Sequence, residues 1–598
     1  MSYRAPVQDM LFAMRELADL EGLSRLPGFE DAGLDTAVAV LEESARFTGE
    51  VLDPLNWEGD RHPSSFKDGQ VRTTPGFRDA FRQFAEGGWQ GLQHPVTFGG
   101  QGLPKTIGAA CGEMLNSANL SFALCPLLTD GAIEALLTAG SPVQRALYIP
   151  PMIEGRWTGT MNLTEPQAGS DLAAVRTRAE PQPDGRYKIF GTKIYITYGE
   201  HDLAENIVHL VLARVPGAPE GVKGISLFIV PKFLVAADGS LGARNDVHCV
   251  SIEHKLGIKA SPTAVLQYGD HDGALGELLG QENRGLETMF IMMNAARYAV
   301  GMQGIAVAER AYQKAAAYAR DRVQGRPVDA SAPRAAAIVH HPDVRRMLMT
   351  MRALTEGCRA MASVAAAAYD TAHAHPDADT RHENQAIYEF LVPLVKGFST
   401  EMSLEVTNLG VQVHGGMGFI EETGAAQYYR DAKILTIYEG TTAIQANDLV
   451  GRKTQRDGGA VALAIAGRIE ATEAALQQLG VLDALAVARR LTAARRAFAD
   501  VVAFIVQRDR APAEVYAGSV PYLMLAGNLV AGWQMARALL AAQDRLAAGA
   551  EDSDPRFLKA KIATARFYAD HILTRVPGLR DSIVDGTAGL FALPAEAL

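Results

Sequence analysis

Cysteine is scarce in this sequence. The chain has four cysteines in 598 residues, far apart and without a C-x-x-C pair: Cys111, Cys125, Cys249 and Cys358. This spacing argues against a disulfide framework and against a zinc site, and free thiols fit a reducing compartment. We therefore expect no metal centre and a cytoplasmic location.

Long apolar runs and the features of a signal peptide are also missing. No run approaches the ~18 to 20 apolar residues that a transmembrane helix needs. The first segment, MSYRAPVQDMLFAMREL, carries acidic residues and lacks a cleavage site of small residues, which argues against a secretory signal. The sequence predicts no transmembrane segment.

A surplus of basic charge is absent as well. The formal net charge is -11, whereas proteins that bind nucleic acid draw most of their affinity from Lys and Arg at phosphates. This balance argues against general nucleic-acid binding. A hydrophobic content of 48% in 598 residues allows a large core and three or four domains of ~100 to 200 residues each.

Hydrophobic periodicity divides the chain into four regions. Residues 1–157 have helical periodicity, residues 158–282 alternate with period two between Gly, Pro and Asp turns, and residues 283–456 and 457–598 are helical again. This order predicts an α+β protein in which a helical bundle is interrupted by a β-domain and followed by an additional all-α domain.

Helices can be outlined in the last two regions, one of them, Gln385 to Val411, interrupted at Pro393. They are expected at Asn294 to Arg322, Pro342 to Ala372, Gln385 to Val411, Leu463 to Gln478, Leu482 to Arg508, Val520 to Leu546 and Phe557 to Thr574. The stretch Val520 to Ala542 is the least polar part of the last region. We expect it to pack against the rest of the protein, with docking on a membrane surface as the alternative.

One carboxylate lies in a setting suited to catalysis. Glu439 belongs to a Tyr-Glu-Gly-Thr-Thr turn after an apolar run, in the segment YYRDAKILTIYEGTTAIQ at residues 428–445. A glutamate held at such a bend behind apolar neighbours loses water, which raises its pKa toward the range of a general base. A solvated turn residue is the alternative, since most glutamates lie at the surface.

Four segments in this chain resemble the ordered motifs of acyl-CoA dehydrogenases. RDAK-x4-YEGT at residues 430–441 is similar to the segment that carries the family's base, and MNLTEPQAGSDL at residues 161–172 resembles its flavin loop. GTKIYITYG at residues 191–199 resembles the companion strand, and QVHGG at residues 412–416 the turn that reaches the flavin of a neighbouring subunit. With VHHPDVRRML at residues 339–348, the chain is most similar to the large bacterial branch described as 3-methylmercaptopropionyl-CoA dehydrogenase-like.

The resemblance implies the family's fold, its cofactor and its flavin-binding positions. The fold comprises an amino-terminal helical domain, a middle antiparallel β-domain and a carboxyl-terminal four-helix bundle, to which this chain adds an all-α domain. The cofactor is FAD, and the implied contacts are Met161, Leu163, Thr164, Gly169, Ser170, Tyr195, Ile196, Thr197, Arg322, Gln412, Gly415, Gly416 and Thr441. Arg322 corresponds to the arginine that pairs with the FAD pyrophosphate of the partner subunit.

The implied reaction is α,β-desaturation of an acyl-CoA thioester, with Glu439 as the base that removes the α-proton. Some relatives carry the base immediately before an arginine in the helix after the β-domain. Here that arginine corresponds to Arg297 and its predecessor is Ala296, which cannot accept a proton. The implied substrate contacts are Ser170, Asn294, Arg297, Tyr438 and Gly440.

The resemblance also implies partners and leaves alternatives open. An electron-transfer flavoprotein is the expected acceptor, within fatty-acid or thioether-acid breakdown, and contacts across subunits imply a homodimer or a dimer of dimers. An oxidase of the same fold, which reduces O₂ directly, is one alternative. A DNA-binding alkylation-response relative is another, although the 18 basic and 15 acidic residues after residue 450 form no basic cluster.

Overall fold

The computed structural model describes residues 3–329, 334–549 and 554–597. Its first part is helical: α1 Val7–Phe12, α2 Leu20–Leu23, α3 Leu34–Phe47, α4 Asp53–Arg61, α5 Phe77–Glu86, α6 Lys105–Ala118, α7 Leu120–Ala139 and α8 Pro142–Ile153. A hairpin of β1, Ser65–Lys67, and β2, Gln70–Arg72, interrupts the expected run of helices. Asp68 and Gly69 both have positive φ, and Asp-Gly is the sequence that favours such a tight hairpin turn.

Helix α7 corrects the expectation that no segment is apolar enough to cross a membrane. By length and composition this 20-residue helix passes that test, although 78% of its most apolar window is buried inside the protein. It packs against the first strand of the β-domain, Trp157–Asn162, and against the long helix Gly285–Asp321 of the third region. We therefore read α7 as a core helix, because burial by protein already accounts for its apolar surface.

The β-domain follows directly. Its strands are β3 Trp157–Asn162, β4 Arg178–Pro181, β5 Tyr187–Thr197, β6 Asn206–Ala213, β7 Ser226–Pro231, β8 Phe233–Val235, β9 Leu241–Arg244, β10 Val247–Ile252, β11 Thr263–Tyr268 and β12 Ala274–Leu279. The main sheet has the order β10-β11-β5-β12-β7-β6-β3, with β4 paired to β5. The strands pair antiparallel with one exception, β3 with β6. That pair is parallel because the long segment carrying β4 and β5 acts as a crossover between them.

Long helices return after the sheet: α9 Gly285–Asp321, α10 Pro342–Ala374, α11 Ala378–Pro393, α12 Ser399–His414, α13 Ala425–Ala432 and α14 Thr442–Val450. Helix α9 begins earlier than the expected Asn294, and a π-helical turn, Leu394–Phe398, joins α11 to α12. Two glycines let α9 approach this turn and α12 closely. A Cβ at Gly301 would lie 2.4 Å from the Val395 carbonyl oxygen, and one at Gly304 would lie 2.7 Å from that of Ser399.

The additional domain is helical, as expected: α15 Ala460–Leu479, α16 Leu482–Ile505, α17 Pro512–Ala517, α18 Ser519–Ala548, α19 Pro555–His571, α20 Arg575–Val584 and α21 Thr587–Leu590. Helix α18 contains the stretch Val520 to Ala542 and is buried on most sides. A Cβ at Gly527 would lie 2.2 Å from the Phe398 ring. The expected packing of this stretch against the rest of the protein is therefore confirmed.

A buried network of charges joins the additional domain to the others. Arg359 of α10 contacts Asp9, Glu113 and Glu309 at 2.7 Å or less, and Lys561 of α19 contacts Asp9. Burial alone would raise the pKa of Asp9, but Lys561 and Arg359 lower it to about 2. Residues from the first, third and fourth regions thus share one ion-pair network, which makes the additional domain part of a single body.

Candidate active site

Glu439 lies on a strained turn between a 3₁₀ turn, Lys433–Thr436, and α14. Its φ is 53° and that of Gly440 is 89°, in the left-handed region that side chains other than glycine rarely adopt. A Cβ at Gly440 would lie 2.7 Å from Gln445 Nε2. The backbone conformation therefore favours glycine at position 440, and a larger residue would also have to displace the end of the Gln445 side chain.

The Glu439 carboxylate has the electrostatics of a base. Burial raises its pKa above the ordinary value, and the positive charges of Lys396 and Arg297 oppose that rise. Within the described part of the chain, the backbone N–H of Glu439 donates to no protein acceptor. A proton acceptor and a free backbone donor therefore lie on one residue, an arrangement suited to removing a proton next to a carbonyl group.

Four of the expected substrate contacts lie at this turn or beside it: Asn294, Arg297, Tyr438 and Gly440. Arg297 is buried, donates to Asn294 at 3.4 Å and lies 3.8 Å from Asp448. Among the described residues, neither the Arg297 Nε atom nor Gln445 Oε1 has a hydrogen-bond partner. The Tyr438 hydroxyl donates to Gln303 Oε1. Buried polar atoms left without partners are costly, so a polar ligand at this place would satisfy groups that the protein leaves open.

A cavity of about 760 Å³ borders these residues. Asn294 and Asp448 belong to its wall, and Arg297 contacts both of them. One part of the wall is apolar and includes Phe47, Leu127 and Met302; another carries the charged side chains His94, Asp130 and Glu134. Burial lowers the pKa of His94, but hydrogen bonds with Asp130 and Glu134 raise it to about 9.

The two flavin motifs are joined by a buried ion pair that the sequence analysis did not single out. Lys193 Nζ donates to Glu165 at 2.8 Å and to the Leu163 carbonyl at 3.0 Å. Glu165 also accepts from the Thr177 hydroxyl and from the backbone N–H groups of Arg176 and Thr177. Glu165 lies in the motif at residues 161–172 and Lys193 in the motif at residues 191–199. One acidic and one basic residue in two motifs expected to lie together could have indicated this ion pair.

The expected flavin contacts form a shallow cradle beside this pair. Thr164 accepts from the Ile194 N–H at 2.9 Å, which fixes the loop to β5. Gly169 and Ser170 are exposed, and a Cβ at Gly169 would meet no atom within 4 Å. Tyr195 is 61% exposed with a φ of 60°. An exposed aromatic ring beside an open loop of small residues fits a flat ring system such as a flavin.

Three other expected flavin contacts are more constrained. The side chains of Met161 and Ile196 are buried in the core, which leaves only their backbone atoms for a cofactor. Thr441 is the N-cap of α14 and accepts from Ile444 N. Its hydroxyl hydrogen remains available to a ligand.

The Glu439 turn and strand β5, which carries expected flavin contacts, are held together by α13. Asp431 accepts from Ile258 N at 2.5 Å, and Arg430 donates to the Leu256 carbonyl and to Asp60. The loop that contains Ile258 leads into β11, in which Thr263 pairs with Thr197 of β5. The RDAK segment thus docks the base turn onto the sheet that carries the flavin positions.

A second group of expected flavin contacts lies elsewhere. Arg322 ends α9, and Gln412, Gly415 and Gly416 lie at the end of α12, beside the stacked rings of Tyr318 and His414. These positions are exposed. At 1.5 Å per residue, the 25 residues along α9 separate Arg322 from Arg297 by about 38 Å. Within one chain, the structure does not bring this second group to the Glu439 turn.

One cluster has the residue types of a metal site. Asp246, His248 and His271 offer ligand atoms within 4.8 Å of one another. Asp246 already accepts backbone hydrogen bonds from His271, Asp272 and Gly273, so its carboxylate is engaged in closing a loop. The absence of a metal centre stays a prediction.

Comparison with known proteins assigns the family. Models described as the N-terminal, middle and C-terminal domains of acyl-CoA dehydrogenase match residues 36–156, 160–270 and 283–453, and one described as acetyl-CoA dehydrogenase C-terminal like matches residues 465–594. A 3-methylmercaptopropionyl-CoA dehydrogenase of Ruegeria pomeroyi is 56% identical, with 98% of each chain covered. A broad-specificity linear acyl-CoA dehydrogenase of Mycobacterium tuberculosis is 36% identical, with 97% of each covered.

Among solved structures, an acyl-CoA dehydrogenase of Bacillus anthracis complexed with FAD shares the fold. The TM-score is 0.73 at 22% identity, over 93% of this chain and 90% of that one. The chain belongs to the acyl-CoA dehydrogenase family. It is an FAD-dependent oxidoreductase, and the expected fold with its additional all-α domain is confirmed.

Proposed function

We propose that this enzyme desaturates a short acyl-CoA thioester that carries a thioether, with 3-methylmercaptopropionyl-CoA as the leading substrate. The observation that carries the proposal is the identity of 56% to a 3-methylmercaptopropionyl-CoA dehydrogenase over nearly the whole of both chains. The partly apolar cavity beside Asn294 supports an acyl pocket with limited apolar surface, because charged side chains form part of its wall.

In this proposal each residue of the turn has a role in proton abstraction. The Glu439 carboxylate accepts the substrate's α-proton, and its free N–H donates to the thioester carbonyl, which makes that proton more acidic. Arg297 and Lys396 stabilise the carboxylate before the proton arrives. FAD supplies the acceptor for the β-hydride, so the product is the α,β-unsaturated thioester. The α-proton and the β-hydride leave from adjacent carbons, so both carbons must be positioned, one at the Glu439 carboxylate and the other at the hydride acceptor.

A substrate panel tests the proposed specificity. Anaerobic bleaching of the flavin would be followed with 3-methylmercaptopropionyl-CoA and with straight-chain acyl-CoAs of increasing length. We expect the thioether ester, or the straight chain of matching length, to give the highest kcat/KM. A maximum at long chains would contradict the proposal. Dye reduction without peroxide release would support an electron-transfer flavoprotein as the acceptor, and rapid peroxide formation would favour an oxidase.

We also propose a homodimer, or a dimer of dimers, in which the second flavin group is supplied by the partner. The separation of about 38 Å along α9 supports this arrangement, because Arg322 is too far from Glu439 to serve the same end of a cofactor. Arg322 is exposed, and within the described residues its guanidinium donates to Gln324 and forms no ion pair. A phosphate group would be a suitable bidentate partner.

Mixed dimers distinguish sites shared between subunits from sites within one subunit. Arg322→Ala and Glu439→Gln should each be inactive or nearly so as homodimers. Unfolding and refolding the two together should restore activity, because one composite site then has Glu439 from one chain and Arg322 from the other. Failure to restore activity, with both proteins dimeric, would contradict a shared site.

A cytoplasmic location and a role in β-oxidation stay part of this proposal.

A further inference from the structure

Lys396 is a buried lysine beside the base turn. It lies in the π-helical turn Leu394–Phe398 and its side chain is 0% exposed. Lysine is almost never fully buried without a partner, because desolvating an ammonium group is costly. The complete burial of Lys396 therefore calls for a specific reason to keep a lysine here.

The ammonium group of Lys396 bridges the two sides of the Glu439 turn. Its Nζ donates to the Leu435 carbonyl at 2.9 Å and to the Gly440 carbonyl at 2.6 Å. These two carbonyls flank Glu439 on both sides in the sequence. One side chain from the bundle therefore fixes the beginning and the end of the bend that carries the base.

The backbone of this bend is strained. A left-handed φ at a residue other than glycine is unfavourable and persists only where the surroundings hold it. Glu439 has such a φ, 53°. Within the described residues, the Glu439 carbonyl accepts a long hydrogen bond of 3.4 Å from Gln445 Nε2. The two donations from Lys396 are shorter and are made by a charged group.

The charged groups around Lys396 come from three elements. The carboxylate of Glu439 lies on the turn, Arg297 on α9 and Glu401 on α12. Leu523 of α18, which packs on the neighbouring Gly397, adds no charge. Burial lowers the pKa of Lys396 to about 8, and the negative charge of Glu439 opposes that fall. Lys396 is the first of the two cations that favour an ionised Glu439.

We propose that Lys396 is a positioning residue for the base: it holds the Glu439 turn in its strained conformation and supplies a positive charge that stabilises the carboxylate. Lys396 acts through Glu439 and through backbone carbonyl groups, and it takes no proton from the substrate. This inference rests on the proposed role of Glu439 as the base, so its test includes a variant of Glu439.

The test measures the rate constant of flavin reduction by the acyl-CoA substrate against pH, under anaerobic conditions. Lys396→Met removes the charge and the donors, and Lys396→Gln removes the charge but keeps an N–H donor. Both should slow flavin reduction, Lys396→Met by about 100-fold, within the range that a positioned base contributes. In both, the rising limb of the pH profile should move about one unit higher, because a nearby opposite charge has been lost.

Lys561→Met serves as a control for the loss of a buried lysine. Lys561 is buried in the ion-pair network with Asp9 and Glu356, so its variant should lose stability while keeping the wild-type pH profile. If Lys396→Met does not fold, Lys396→Gln still reports the shift of the limb.

The outcomes separate this inference from the role of Glu439. Folded Lys396 variants with the wild-type rate and limb, beside an inactive Glu439→Gln, would overturn the role of Lys396 alone. An active Glu439→Gln would overturn the base and this inference with it. The positioning role would be established if the Lys396 variants reduce the flavin more slowly and the rising limb of their pH profile moves upward. Lys561→Met should show neither change.

Discussion

Replacing Glu439 by glutamine should separate binding from chemistry. The carboxamide keeps the size of the side chain and loses the ability to accept a proton. The contacts that hold the turn are made to backbone carbonyls, by Lys396 and by Gln445, so they do not depend on the carboxylate. We therefore expect Glu439→Gln to fold, to remain yellow and to bind CoA esters.

The expected loss is in the rate of α-proton removal. General-base catalysis contributes about 10² to 10⁴-fold, and a loss of 10⁴ corresponds to about 5.5 kcal/mol of activation free energy. Lys396 and Arg297 remain in the variant and now lack the negative charge that they faced. Binding of neutral product esters should consequently change little, while enolate-like anionic ligands should bind at least as tightly as in the wild type.

Two assays measure this separation. Anaerobic stopped-flow absorbance reports flavin reduction, and exchange of α-protons with D₂O reports proton removal without any redox step. Both should fall by about the same factor. Glu422→Gln is the matched control, since Glu422 is exposed on the preceding 3₁₀ turn, Glu421–Thr423, and should retain nearly full activity. Wild-type turnover in Glu439→Gln, or loss of turnover in the control, would refute the assignment of the base.

Three further outcomes follow from the buried ion pairs. Lys193→Met leaves the buried Glu165 carboxylate without its cation, so it should weaken FAD binding and destabilise the flavin loop by about 3 kcal/mol; FAD titration and thermal unfolding measure both. Burial would raise the pKa of Glu165, but Lys193 lowers it to about 2, below the ordinary 4.5. The stability that Glu165 contributes is therefore present above pH 4.5 and is lost as the pH falls toward 2, and acid titration of Glu165→Gln should lack this component. Lys561→Met should lower the free energy of unfolding of the whole chain by about 3 kcal/mol, and a separate, earlier unfolding step for the additional domain would contradict its place in a single body.

Local sequence determined the parts of this protein that depend on neighbours along the chain. The change from helical periodicity to period two marked the β-domain, because side-chain spacing follows directly from backbone geometry. The Glu439 turn was recognisable because its residues are consecutive, and the positive φ of Gly440 favours the glycine that marks the turn in the sequence. The flavin-loop positions Thr164, Gly169 and Ser170 likewise lie in one short stretch of the sequence, and their contact with the cofactor stays a prediction.

Tertiary structure decided what depends on contacts between distant segments. The parallel pairing of β3 with β6 follows from how a crossover packs on the sheet, which alternation within each strand does not encode. Lys396 stands 43 positions before Glu439, in an apolar run where one lysine resembles an ordinary surface residue. Its role follows only from the π-helical turn and from Gly301, which allows α9 to pack closely against that turn. The separation of Arg322 from Glu439 likewise depends on the length of α9. A hydrophobic pattern specifies which face of that helix is buried, but it does not specify which residues lie beside the end of the helix.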